Sequence, residues 1–260
     1  MGSLANKTPA NTYKSLLKVA DESDGVSTTL SNVEDGEGTT TCLKVCDDAF
    51  HVRPQNDNSA GTFKVKNSVG GDILSVDSSN NCVKVNQTQT YANTQILSFG
   101  AYQLVPTAGT HYFIPCGNGA FTSPMAELAN GTGTDPDTTF DAGATTDELV
   151  SMLFYAPANI TIDGVTAMAS TDTDTDTILN VHLYKFTMTN AGGTSDGNLS
   201  GGTLLASGLL RFVDRNVLKT TAASIDSSSV SSGEVVACFV ENATNTDKVN
   251  IRVQVLYHIN

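Results

Sequence analysis

The sequence predicts an all-β protein with a thin N-terminal β-rich region and a C-terminal antiparallel β-sandwich of jelly-roll-like type. Only 16% of the residues are charged and 39% are hydrophobic, and the residues that favour helices are scarce. The apolar residues fall in short blocks that alternate with polar ones, as half-buried strands do. Clusters of Gly, Asn, Asp and Ser separate these blocks and are typical of turns.

The N-terminal third is divided into short strand segments. Residues 1–12 are polar and contain Pro9, so we expect an arm without a core of its own. Residues 13–90 are expected to form a β-rich stem, with clear segments at 61–66, 72–77 and 81–86. Each segment has only two or three apolar side chains. We therefore expect other copies of the chain to cover them in an intertwined oligomer.

A more conventional domain is predicted to follow. Residues 91–109 are interpreted as a connector, and residues 110–260 as the sandwich. Its longer apolar blocks lie at 110–115, 148–155, 160–168, 178–188, 203–207, 208–213, 234–240 and 249–259. In the last block Val249, Ile251 and Val253 alternate with Asn250 and Arg252, which predicts one face in the core and one towards solvent or a neighbouring subunit.

The charge and the lengths of the apolar runs argue against binding to nucleic acid and insertion into a membrane. The formal net charge is −13, which would repel phosphate backbones, so we expect no nucleic-acid binding. No apolar run reaches the roughly 18–20 residues of a membrane span, so we expect no membrane insertion. The first residues lack the apolar core of a secretory signal, and we expect no export by that route.

No catalytic motif stands out. The sequence lacks a GxSxG nucleophile motif, an HExxH motif and a P-loop. The histidines are isolated and lie in or beside predicted strands: His51, His111, His182 and His258. We therefore expect no enzymatic activity and no cofactor.

One acidic run is a weak candidate for a cation site. If residues 171–177 are extended, Asp172, Asp174 and Asp176 share one face about 7 Å apart and could bind a hard cation such as Ca²⁺. The alternative is a solvated loop whose like charges repel, and the run lacks the Gly and distal Glu of an EF-hand. The acidic loop at 135–141 has the same ambiguity.

Carbohydrate recognition is a further possibility. Sugar sites on β-proteins combine exposed aromatic rings with polar side chains that bind hydroxyl groups. The chain has no Trp, and the aromatic residues outside the most regular strands are Tyr91, Tyr102, Tyr112 and Phe121. Packing at a subunit interface is the favoured interpretation of these four.

Three phrases of the stem resemble fibre and appendage proteins of tailed bacteriophages, especially marine ones. They are NTYKSLLKV at 11–19, VEDGEG at 33–38 and GTFKVKNSVGGDILSVD at 61–77. The resemblance implies a non-enzymatic, homotrimeric virion structural protein assembled in the host cytoplasm. Its N-terminal region would dock onto other tail or capsid proteins, and its C-terminal sandwich would be displayed for attachment to a host glycan or protein. The family offers no catalytic residues to transfer.

Two alternatives remain open. The first is a capsid-decorating protein, either a head fibre or a cement protein. The second is a carbohydrate-binding or depolymerising module. Loops on a rigid sandwich are where contacts vary, so host contacts are predicted in the loops 130–141, 171–177 and 190–202.

Overall fold

The computed structural model of the chain is almost entirely antiparallel β-structure, as the sequence predicts. It describes residues 17–20, 25–54, 58–79, 82–85, 90–117, 128–143, 146–172, 176–190, 196–215 and 217–260. The predicted arm at 1–12 lies outside these residues. The chain divides into two units, Met1–Ala92 and Asn93–Asn260. Among the described residues no helix is long and apolar enough to cross a membrane.

The first unit contains two small sheets, each a four-stranded antiparallel meander with its strands in chain order. The first meander consists of β1 (Lys18–Val19), β2 (Ser31–Glu34), β3 (Thr40–Val45) and β4 (Phe50–Val52). The second meander consists of β5 (Phe63–Lys66), β6 (Asp72–Asp77), β7 (Cys82–Val85) and β8 (Thr90–Tyr91).

The second meander buries polar side chains on one face and leaves the apolar side chains of the other face unburied. The register pairs Phe63 with Val76 and Val76 with Val83, and likewise Val65 with Leu74 and Leu74 with Val85. Cross-strand neighbours share a face, so these six apolar side chains lie together, and none of them is buried. The opposite face carries Ser75 and Asp77, which are buried.

Ion pairs cover that polar face. Lys84 Nζ lies 3.2 Å from Asp77 Oδ2, and both Lys64 and Lys66 contact Asp72. Among the described residues of the first unit, Ser75 and Asp77 are the buried ones, and no apolar side chain is buried. The first unit therefore has no apolar core of its own in the part of the chain that the structure describes.

In its described residues, the second unit contains long strands and one short helix. Its elements are β9 (Thr94–Leu104), β10 (His111–Ile114), α1 (Thr146–Leu149), β11 (Leu153–Tyr155), β12 (Ile160–Thr171), β13 (Thr177–Met188), β14 (Leu199–Phe212), β15 (Lys219–Ala222), β16 (Ser224–Ile225), β17 (Ser229–Val230), β18 (Glu234–Asn242) and β19 (Val249–Ile259).

These strands form an antiparallel sandwich with jelly-roll connectivity. One sheet has the order β15-β12-β19-β9, with β17 also paired to β12; we call it the five-stranded sheet. The other has the order β10-β18-β13-β14-β16, with β11 also paired to β18; we call it the six-stranded sheet. The chain crosses repeatedly between the two sheets, whereas β13 and β14 form a hairpin within the six-stranded sheet, which is the strand order of a jelly roll.

The main core lies between the two sheets. Alternate residues of every long strand enter it, which is why the period-two pattern of the sequence is so regular here. Phe99 on β9, Phe212 on β14 and Val253 on β19 are fully buried in it. It holds most of the buried apolar side chains of the second unit.

A second core covers part of the outer face of the six-stranded sheet. Phe113, Phe186 and Phe239 lie on this face and are fully buried. Leu149 and Met152, at and after α1, pack onto them. The six-stranded sheet is therefore covered on both faces over this part of its area.

One difference from the sequence analysis concerns the segment at 91–109, which we interpreted as a connector. In the structure this segment contains β9, an edge strand of the five-stranded sheet. Leu97, Phe99 and Ala101 alternate into the main core, while β9 pairs with β19 at the far end of the chain. The unit boundary accordingly falls between Ala92 and Asn93.

We predict that Gly202→Ala weakens the packing of the segment at 138–140 against β14 of the six-stranded sheet. A Cβ at Gly202 would lie 2.7 Å from Thr138 Cα and 2.6 Å from Phe186 Cε1, so backbone has to move. Such overpacking costs about 1–3 kcal/mol, measurable by urea unfolding. The control is Gly100→Ala, whose Cβ would meet nothing closer than Ile251 O at 3.6 Å. Equal stability of the two variants would contradict this account.

Candidate functional site

The outer face of the six-stranded sheet changes from apolar to polar along its strands. On β13, Val181 and Leu183 enter the main core, so Asn180 and His182 lie on the opposite face. The register sets Asn180 beside Glu241 of β18, and Asn180 Nδ2 donates to Glu241 Oε2 at 2.8 Å. A buried polar row therefore begins where the aromatic second core ends.

Two histidines meet within this polar region. His111 of β10 lies opposite Glu241 in the register, and its ring centroid is 5.1 Å from that of His182. His111 is fully buried, and His182 is only 6% exposed. Both ring nitrogens of His111 and Nδ1 of His182 have no hydrogen-bond partner among the described residues.

The turn at 131–137 covers the histidine pair. His111 N donates to Gly131 O at 3.0 Å, and Asn130 N donates to His111 O at 2.8 Å, so the segment is held to β10 as an added strand would be. Gly131 has φ +91°, and a Cβ there would lie 2.7 Å from Asp137 Oδ1. Glycine is therefore required for the turn to close. The turn places Asp135 Oδ1 3.5 Å from His182 Nε2.

Burial keeps this pair neutral near pH 7. Desolvation lowers the pKa of His111, and the carboxylates of Asp135 and Asp137 offset this only in part. Desolvation also lowers the pKa of His182, as does the neighbouring His111. The nearby carboxylates of Asp135 and Glu241 act in the opposite direction on His182.

Beside the pair lies an open polar cleft of about 390 Å³. Its side-chain lining is contributed by the turn at 131–137, by β13 and by β14: Thr134, Asp135, Asn180, His182, Ser207 and Leu209. Its volume falls in the range of roughly 300–1,000 Å³ that is usual for small-ligand sites.

The polar groups of the cleft are held in place from outside it. Glu241, itself buried, holds the amide of Asn180. Ser207 Oγ donates to Asp226 Oδ2 at 3.3 Å. Since these second contacts orient the lining groups, the cleft is organised before any ligand enters.

The two described carboxylates of the candidate cation site, Asp172 and Asp176, contact different groups of the protein. Asp176 forms a two-pronged ion pair with Arg211, at 2.8 Å from Nε and 2.5 Å from Nη2, and this contact lowers the pKa of Asp176. Asp172 Oδ1 accepts from Lys248 N at 3.0 Å, and Asp174 lies outside the described residues. Among the described residues no three His, Cys, Asp or Glu side chains are arranged to hold a metal ion. The cation site stays a prediction.

The acidic loop at 135–141 has several separate roles. Asp135 reaches the histidine pair, whereas the backbone of Asp137 bonds to Asn130. Asp141 Oδ1 accepts from Gly143 N at 3.2 Å. This acidic loop is part of the segment 130–141, one of the three predicted to make host contacts, which contributes Thr134 and Asp135 to the wall of the cleft.

The four aromatic residues considered for sugar binding do not converge. Tyr112 is buried in the main core, Tyr102 is 60% exposed on β9, and Tyr91 lies under Lys84, whose Nζ is 5.5 Å from the ring centroid. Phe121 lies outside the described residues. None of the described three lines the polar cleft.

The sequence analysis missed the pairing of His111 with His182. It placed each histidine correctly in or beside a strand, but treated them as isolated. They belong to β10 and β13, which both pair with β18. Only the long-range strand order brings them together, and no local pattern indicates it.

Comparisons with known proteins place the chain in no family. No protein-family model matches it, and no curated protein matches it. Among solved structures it is similar to an aminopeptidase from the marine sediment archaeon Thaumarchaeota archaeon, with 12% identity, TM-score 0.32, and coverage of 72% of this chain and 40% of that one. It is also similar to a CocE/NonD family hydrolase from Staphylococcus aureus, with 9% identity, TM-score 0.29, and coverage of 68% and 39%. The chain thus spans about 40% of the length of these two proteins.

We predict that acid destabilises the second unit through the histidine pair. The folded-state pKa values of His111 and His182 lie below the ordinary value. The unfolded chain therefore binds more protons as the pH falls below about 6.5, and stability present above that pH is lost. Each histidine can lower the free energy of unfolding by at most about 1.4 kcal/mol per pH unit.

The measurement is urea unfolding followed by near-UV circular dichroism between pH 7.5 and 5. Replacing both histidines, as His111→Leu with His182→Leu, should flatten the decline in unfolding free energy. The control is His51→Leu, because His51 is exposed on β4 of the first unit. A decline that persists unchanged in the double variant would refute the assignment.

Proposed function

We propose that the chain is a non-enzymatic virion structural protein, a homotrimeric appendage of the tailed-bacteriophage type. In this proposal the first unit assembles the trimer and attaches to other virion proteins of the tail or capsid. The jelly roll is displayed outward for host attachment. The protein would be assembled in the host cytoplasm and function in the virion.

The observation that carries this proposal is the open apolar face of the second meander. Six apolar side chains from β5, β6 and β7 lie on that face. Phe63, Val65 and Val83 are 39%, 41% and 39% exposed, whereas Ser75 and Asp77 on the opposite face are buried. A sheet with this arrangement exposes a contiguous apolar patch, which marks an interaction surface.

The first meander supports the same conclusion. The register pairs Val45 with Phe50 and Leu43 with Val52, so these four side chains share a face. Phe50 is 59% exposed, and the other three are only partly buried. Two successive small sheets therefore present apolar faces.

Copies of the same chain are the favoured cover for these faces. Closed symmetry lets identical sheets cover one another without leaving a free apolar surface. The resemblance of the stem phrases to phage fibre proteins favours three copies. The acidic charge of −13 per chain is consistent with a soluble assembly that does not bind nucleic acid.

A capsid-decorating protein is the second candidate. It would use the same apolar faces, but against shell proteins and not against copies of itself. The two proposals differ in solution, because a decorating protein that pairs only with the shell would be monomeric when purified.

We predict that Val65→Asp converts a trimer into single chains. The substitution places a carboxylate on the apolar face, where burial without a partner costs several kcal/mol per ion. Light scattering coupled to size exclusion should give the mass of three chains for the unchanged protein and of one chain for the variant.

The matched control is Val69→Asp. Val69 is 85% exposed and lies in the turn between β5 and β6, away from the apolar face, so this variant should remain trimeric. A monomeric unchanged protein would refute the trimer. A Val65→Asp variant that keeps the trimeric mass would instead refute the role of the apolar face in assembly.

A further inference from the structure

The polar cleft of the jelly roll has the features of a binding site. These features do not depend on trimer formation. It lies wholly within the second unit, between the turn at 131–137 and strands β13 and β14. A buried histidine, His182, lines it, and Nδ1 of that histidine has no hydrogen-bond partner among the described residues. A buried polar atom without a partner requires an explanation.

The chemistry of the lining restricts the ligand. Among the described residues that line the cleft there is no lysine or arginine, so phosphate, sulfate and carboxylate groups have no cation to bind. The carboxylate of Asp135 adds further repulsion. An anionic ligand is therefore disfavoured.

The same lining is suited to hydroxyl groups. Ser207 Oγ donates to Asp226, which leaves its lone pairs to accept. Asn180 donates through Nδ2 to Glu241, which leaves its carbonyl oxygen to accept. Asp135 adds carboxylate oxygens as acceptors. Several acceptors around one small space match a molecule with several hydroxyl donors.

One apolar surface completes the site. Leu209 is 56% exposed and lies on the strand beside Asn180. Its side chain can cover the C–H face of a sugar ring, while the polar groups bind the hydroxyls. A flat aromatic platform is absent from the described lining, so the expected contact is with a single ring and not a stacked run of rings.

We propose that this cleft binds a neutral pyranose residue, with Asp135, Asn180 and Ser207 as acceptors for its hydroxyl groups. The residue could be a free sugar or part of a longer glycan; both sources present the same chemistry. His182 forms the buried wall of the site, and the turn at 131–137 forms its rim.

The test is saturation-transfer difference NMR on the full chain. The probes are the methyl glycosides of glucose, galactose, mannose and N-acetylglucosamine, each compared with a linear oligosaccharide of the same residue. A saturable signal from at least one probe is expected. Tighter binding of the oligosaccharide would identify a residue within a glycan as the source, and equal binding would identify the single sugar.

Two variants make the location testable. Ser207→Leu fills the cleft and should abolish the signal. Its matched control, Ser200→Leu, is on the same strand β14 at an exposed position outside the cleft, and should keep the signal. Asp135→Asn keeps the size of the side chain and should weaken binding roughly tenfold or more, because hydrogen bonds to a charged acceptor are the stronger ones.

Thermal unfolding of each variant tests whether the jelly roll remains folded. Light scattering on the same samples measures the oligomeric mass separately. A sugar signal from a monomeric protein would sustain this inference while refuting the proposed assembly. The inference is overturned if none of the probes gives a saturable signal, or if Ser207→Leu and Ser200→Leu bind equally.

Discussion

The six-stranded sheet carries apolar side chains on both of its faces, and most of the second unit follows from the need to cover them. The five-stranded sheet covers one face through Phe99 and Val253. The helix α1 and the residues after it cover the other face through Leu149 and Met152. Because that second cover spans only part of the face, its border is where polar side chains become buried beside a cleft. The candidate site is thus a consequence of incomplete coverage.

The apolar side chains of the first unit also need cover, but the described residues of this unit do not bury them. In the second meander, ion pairs such as Lys84 with Asp77 cover the polar face, while nothing within the described residues buries the apolar one. Two small sheets offer too little apolar surface to stabilise an independent fold, since small domains bury the smallest share of their surface. In the proposed assembly, neighbouring copies of the chain would supply the missing cover.

The period-two pattern was sufficient to predict the fold class and most of the long strands of the jelly roll, because alternate burial leaves a direct record in the sequence. It did not predict the short strands β15, β16 and β17. It did not identify β9, although Leu97 and Phe99 alternate there, because polar stretches precede it and its pairing partner β19 lies at the other end of the chain. The meeting of His111 with His182 depends on strand order, which propensities and spacing do not encode.

The buried histidines are expensive for a protein whose role is display alone. A buried polar group without a partner costs about 1–3 kcal/mol, and apolar residues at these positions would simply extend the second core beyond Phe239. Departures from local consistency of this kind tend to mark functional sites. Of the two histidines only His182 lines the cleft, so a ligand there can contact that residue but not His111. The sensitivity of the second unit to acid should therefore persist in the ligand-bound state, carried by the histidine that the ligand does not reach.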